Sequence, residues 1–159
     1  MCGLLSRPAG RSTDPLKIVL PGVIASVPVA RRRFWEFITA LCLSEEQQAQ
    51  VALLFGEAVT NAIQHGSPRA EADRIRIECC FEADTVRMAV ADDGPGFDPL
   101  CVRVAADPAS DLEASLMATS GRGIFLMRAC GEVSYEFPAH GTICRLSYRL
   151  KSAETRENG

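Results

Sequence analysis

Apolar residues recur along this chain in two rhythms, and the change from one to the other marks out its elements. The first run, "LKIVLPG" at residues 16–22, is short, apolar and closed by a Pro-Gly turn, which predicts a strand. A helical rhythm follows. Val29, Phe34, Phe37, Ile38, Leu41 and Leu43 approximate 3.6-residue spacing, so a helix is expected from about Pro28 to Leu43 with Ser26 as its N-cap. Ser44-Glu45-Glu46 then looks like a second cap, opening a helix that runs to about His65 and stops in "GSPRAEAD". Beyond it the period falls to two. In "RIRIECCFE", Ile75, Ile77 and Cys79 alternate with Arg74, Arg76 and Glu78, and "TVRMAVADD" continues as a second antiparallel strand.

The turn "GPGFDP" leads into residues 100–120, "LCVRVAADPASDLEASLMATS", whose patterning is weak and mixed. "GIFLMRAC" reads as a short helix beginning just after Gly121-Arg122-Gly123, and "EVSYEF" and "GTICRLSYRL" read as two closing strands. The order is strand, two helices, strand pair, weakly patterned segment, helix, strand pair. That order predicts an α+β fold: a two-layer sandwich with helices on one face of a mostly antiparallel sheet. The expected domain covers residues 15–150, between a flexible lead-in at 1–14 and a flexible polar tail at 151–159.

Composition narrows this picture without redirecting it. A chain of 159 residues, 47% hydrophobic and 23% charged, suits one domain with a genuine core. The formal net charge of −3 gives no reason to expect nucleic acid, and the one like-charge block, Arg31-Arg32-Arg33, is read as a solvated face. Seven cysteines (Cys2, Cys42, Cys79, Cys80, Cys101, Cys130 and Cys144) include no C-x-x-C pair and lie in apolar segments, as buried free thiols do. Residues 16–33 faintly resemble a signal peptide, but Lys17, Pro21 and Pro28 interrupt the run and the arginines stand on its wrong side. Nothing approaches the ~18 apolar residues of a membrane span. The expected protein is soluble and cytoplasmic.

Three stretches carry candidate chemistry. The first is "EAVTNAIQH", in which Glu57, Asn61 and His65 stand at i, i+4 and i+8. At about 100° per residue they drift only ~80° around the helix and form one polar stripe. A solvated helix edge would look similar, yet Asn is a poor helix former at the centre of such an edge. A carboxylate and an amide oxygen one turn apart can instead address a hard cation such as Mg²⁺, or divide metal binding and hydroxyl orientation between them. The second is "DDGPGF", where Asp92, Gly94 and Gly96 end a strand as D-x-G-x-G. This is either an ordinary Asp-Gly turn or a place where a flat ligand meets the main chain and its exocyclic amine meets Asp92. The third is "SGRGIFLM", where Gly121 and Gly123 open a helix whose N–H groups suit an anion.

Taken in order with Gly141-Thr142, these stretches resemble the N, G1, G2 and G3 boxes of the GHKL ATPases, and the short single-domain form is similar to bacterial anti-sigma factor serine kinases. The resemblance implies the GHKL (Bergerat) two-layer α/β sandwich. It also implies Mg²⁺ and ATP as cofactors, with Asn61 on the metal and Glu57 as general base toward a serine hydroxyl. Asp92 would take the adenine amino group, while Gly94 and Gly96 shape the nucleotide pocket and Thr142 adds a contact near the adenine. Gly121 and Gly123 would let a lid at about residues 100–120 approach the phosphates, and His65 would shape the pocket. The implied partners are a STAS-type anti-anti-sigma factor and a sigma factor or other regulatory target, with no direct nucleic acid and no membrane, in a homodimer. One departure is visible: where some family kinases carry an arginine before the second glycine motif, Thr119 stands, and Arg122 is the nearest cation. A binding module working by stoichiometric capture and an ATP-binding fragment of a histidine-kinase-like system are the competing functions.

Overall fold

The computed structural model of the chain describes residues 14–67, 69–96 and 126–150. Within them the order is β1 (Leu16–Pro21), α1 (Ser26–Thr39), α2 (Glu45–Gly66), a 3₁₀ turn (Ala70–Ala72), β2 (Arg74–Glu82), β3 (Thr85–Asp92), β4 (Glu132–Glu136) and β5 (Thr142–Arg149). Residues 126–130 form a helical turn just before β4.

The five strands make one sheet in the order β1-β2-β3-β5-β4, every neighbouring pair antiparallel. Because side chains alternate across a strand, register decides which residues face the helices. Ile77 pairs with Val90, which pairs with Cys144, so one apolar row crosses three strands. That row and its neighbours Ile75, Met88 and Leu146 meet Phe34 and Ile38 of α1 and Leu54, Phe55 and Val59 of α2 in a single buried cluster. The rings of Phe34 and Phe55 stack with centroids 3.9 Å apart and join the two helices. The opposite face of the sheet is polar. It carries Lys17–Glu78 at 3.3 Å, Arg76–Asp93 at 2.8 Å and Arg145–Glu136 at 2.5 Å. The two-layer expectation, helices on one face only, therefore holds for the described residues.

The local signals explain most boundaries. At the start of α2 the Ser44 hydroxyl accepts from the Gln47 N–H at 3.2 Å, and the Gln47 side chain accepts from the Ser44 N–H at 3.0 Å. This reciprocal box satisfies two amides that a helix start leaves unpaired. The first helix differs from expectation. Ser26 lies inside it rather than at its N-cap, Ala25 caps it with no side-chain bond, and it ends at Thr39. Its buried line is Ser26, Ala30, Phe34 and Ile38, a strict four-residue spacing that leaves Val29 38% exposed. Leu41 and Leu43 still enter the core, but from a turn in which Cys42 takes a φ of 55°.

Five cysteines fall among the described residues; all are free, and Cys79 and Cys144 are buried. Burial raises the thiol pKa of Cys79 well above its ordinary value and pushes that of Cys144 up to about 12, so both stay protonated. Among the described residues no group of three or more His, Cys, Asp or Glu is placed to hold a metal, and no helix is long and apolar enough to cross a membrane. The expected lid and tail, and the lead-in except Asp14, lie outside the described residues, and Cys2 and Cys101 with them.

Candidate functional site

The site is built on the far end of α2 and the ends of the two interior strands it reaches, β3 and β5. Val51, Leu54, Phe55, Ala58, Val59, Ala62 and Ile63 bury one side of α2. The stripe at Glu57 and Asn61 is left half-buried and His65 exposed, so the three share a face as the spacing requires. Among the described residues the side chains of Glu57 and Asn61 make neither a hydrogen bond nor an ion pair, which leaves their oxygens free for a ligand. Gly56, just before Glu57, is a notch: a Cβ there would lie 2.9 Å from the guanidinium of Arg31, which therefore rests on the backbone of α2. Arg31, Arg32 and Arg33 are all exposed, as is Trp35 at 48%.

Asp92 closes β3 directly opposite Thr142, the first residue of β5. Both are buried, on the face of the sheet that meets the helices. The Gly94 N–H donates to Asp92 Oδ1 at 2.9 Å, and a backbone hydrogen bond from Thr142 also reaches the carboxyl group. Burial is the larger influence and pushes the Asp92 pKa up to about 6. Its neighbour Asp93 points the other way. Paired with Arg76 and accepting from the Arg74 N–H at 3.2 Å, Asp93 has its pKa lowered.

Glycines hold this corner together. A Cβ on Gly94 would lie 2.4 Å from the carbonyl oxygen of Gly66, so the turn after β3 sits directly on the last turn of α2. Gly141 has a φ of 88°, and a Cβ there would lie 1.9 Å from the Asp92 carbonyl oxygen, so only glycine brings the hairpin this close. Gly96 also has a positive φ, 78°. Beside the turn lies a cavity of about 410 Å³ whose lining includes Arg69, Asp93, Gly94, Gly96, Phe137 and His140. Glu57, Asn61, Asp92 and Thr142 do not line it, so this open hollow lies apart from those four polar groups.

Contact between Gly66 and Asp92 fixes the spacing of the site. Asn61 stands five residues before Gly66, about 7.5 Å along the helix, and Glu57 about 6 Å further. Along the axis of α2 the order is a buried carboxyl group beside Gly66, then the amide of Asn61, then the carboxylate of Glu57. An extended molecule with an amine at one end and anionic, metal-binding groups at the other would complement it. The structure thus brings Glu57, Asn61 and His65 onto one face and Asp92, Gly94, Gly96 and Thr142 into one corner. Gly121, Arg122 and Gly123 lie outside the described residues. Sequence reasoning missed Gly66, although it ends the stretch "EAVTNAIQHG"; a glycine closing a polar stripe was the available signal.

Comparison with known proteins bears on the fold and the family. The family model for the histidine kinase-like ATPase domain matches residues 20–148. An anti-sigma F factor from Oceanobacillus iheyensis is 27% identical over 83 residues, which is 52% of this chain and 57% of that protein. The chain thus spans little more than half the length of that relative. The structure of the RsbU and RsbW domains of Rv1364c from Mycobacterium tuberculosis superposes with a TM-score of 0.60 at 21% identity, covering 87% of this chain and 32% of that one. The catalytic domain of histidine kinase ThkA gives 0.51 at 15% identity, covering 86% and 96%. At these identities the superpositions speak to the fold, an antiparallel sheet of GHKL type with helices on one face, and the family match takes in α1, α2, β2, β3 and β4 whole. The chain belongs to the histidine kinase-like ATPase family.

Proposed function

We propose that this chain is an ATP-dependent anti-sigma factor kinase that phosphorylates a STAS-type anti-anti-sigma factor on serine and sequesters a sigma factor. The carrying observation is the order of Glu57, Asn61 and Gly66 along α2, with Asp92 against Gly66, an order that suits a nucleotide laid from γ-phosphate to base. The likeness to an anti-sigma F factor supports the regulatory half of the reading.

In this reading Asp92 and Thr142 receive the adenine, and Asn61 gives an amide oxygen to Mg²⁺. The donor set fits that ion, which prefers a few hard protein oxygens plus phosphates and water to an all-protein cage. Magnesium supplies charge neutralisation on the phosphates. Glu57 takes the proton of the serine hydroxyl as its oxygen bonds to the γ-phosphorus and the bond to the β-phosphate oxygen breaks, releasing ADP. The partner would meet the exposed face of α1, where Trp35 stands among Arg31, Arg32 and Arg33; aromatic and arginine side chains are enriched in interfaces. A homodimer is part of the proposal.

A second reading, nucleotide binding without transfer, is favoured by one observation, Thr119 at the place where an arginine serves some family kinases. Incubation with Mg-ATP and a STAS-type partner, followed by mass spectrometry, separates the two. Phosphoserine on the partner is expected, lost in Glu57→Ala while ATP affinity stays. Equal transfer by mutant and wild type would remove Glu57 as base, and no transfer by either would leave capture as the function.

A further inference from the structure

The glycine that ends α2 is in contact with the carboxyl group the nucleobase would meet. A Cβ built on Gly66 would lie 2.1 Å from Asp92 Cγ, 2.3 Å from Oδ2 and 2.6 Å from Oδ1. All three atoms belong to the end of a side chain, so a methyl group at position 66 is relieved by swinging the carboxyl group away. Gly94 is different. A Cβ there would strike the Gly66 carbonyl oxygen, Cα and carbonyl carbon at 2.4–2.7 Å, which are backbone and cannot swing aside. The last turn of α2 is itself anchored: the Ser67 hydroxyl donates to the Ala62 carbonyl at 3.2 Å, and the buried Asp73 accepts from the Arg69 N–H at 2.8 Å. Gly66 therefore meets Asp92 as a fixed wall.

We infer that Gly66 is a positioning residue for nucleobase recognition: by lacking a side chain it sets where Asp92 holds its carboxyl group, and so selects a purine bearing an exocyclic amine. The inference rests on the nucleotide-binding reading above. It adds a mechanical consequence. Gly66 and Asn61 share one helix, so the point at which Asp92 meets α2 keeps a fixed distance from the metal end.

The test is Gly66→Ala in the full chain, read by calorimetry with Mg-ATP and by competition with Mg-tripolyphosphate, which has no base. Affinity for Mg-ATP is expected to fall roughly tenfold or more, the scale of a lost hydrogen bond to a charged group, while tripolyphosphate affinity stays within about twofold. A purely structural lesion would weaken both together and overturn the inference, as would Mg-ATP binding at wild-type strength. A second pair guards against misfolding. In an Asp92→Ala background the added methyl group meets no carboxyl, so Gly66→Ala should change neither the melting temperature nor tripolyphosphate affinity. If Gly66→Ala destabilises that background as much as the wild type, Asp92 is not what it touches and the inference fails. Wild-type protein that binds tripolyphosphate but not ATP would defeat the nucleotide reading itself, while the stability comparison would still judge the contact.

Discussion

Asp92 carries its carboxyl group at a cost to the ligand-free protein. Its pKa is pushed from 3.8 up to about 6, chiefly by burial, with the Gly94 and Thr142 hydrogen bonds opposing. The folded chain then holds a proton that the unfolded chain has released across that interval. Its contribution to stability is fully present below the unfolded pKa, is lost as pH rises toward about 6, and changes little above it. Asp92→Asn removes this dependence. Melting temperatures of the ligand-free proteins should therefore diverge between about pH 4 and pH 6, with the variant gaining on the wild type and the gap levelling off above. A constant gap across that range would show that Asp92 does not titrate there. The residue was legible in the sequence as the aspartate of D-x-G-x-G. Its burial and its contact with Gly66 were not, because both depend on how close two glycine backbones approach, which no local pattern encodes.

Among the elements, those with local chemistry at their ends were the easiest to place. The second helix was legible because Ser44 and the residues after it specify a capped start, and "GSPRAEAD" specifies a stop. The first helix was misplaced at both ends because Ser26 and Leu43 look like boundaries yet are buried by tertiary packing. The hairpin between β2 and β3 is the instructive intermediate case: period-two alternation located both strands, while the two-residue turn that joins them has no Asn-Gly or Asp-Gly signature. Ala83 and Asp84 nevertheless take φ values of 45° and 59°, the left-handed pair that a type I′ turn demands. Alanine in that region carries a steric cost of about 1–2 kcal/mol. Ala83→Asn, which tolerates the conformation better and leaves the strands untouched, should stabilise the chain by about 0.5–1 kcal/mol. The measurement is the denaturant midpoint at unchanged slope; a midpoint that stays put or falls would mean the turn is relaxed as it stands.

On the scale of the whole molecule, the proposed ligand bridges two layers that otherwise meet chiefly through apolar packing, with the Tyr148 hydroxyl donating to the Gln50 side chain of α2 at 2.6 Å. Glu57 and Asn61 belong to the helix layer, Asp92 and Thr142 to the sheet, and the sheet's other face is given over to ion pairs. A ligand held by both layers stabilises the folded state by mass action, about 2.7 kcal/mol at a hundredfold excess over Kd. For a domain of this size that is a rise in Tm of roughly 5–10 °C. Asn61→Ala should abolish most of the rise, and chelating the metal should do the same to the wild type, because both remove the link between α2 and the phosphates. Asp92→Asn should lose only the part that ATP gains over tripolyphosphate, because it weakens the base end alone. Scanning fluorimetry across these combinations checks the division of labour along the site. A rise that survives both the chelator and Asn61→Ala would detach the metal from Asn61 and move the phosphates off the polar stripe of α2.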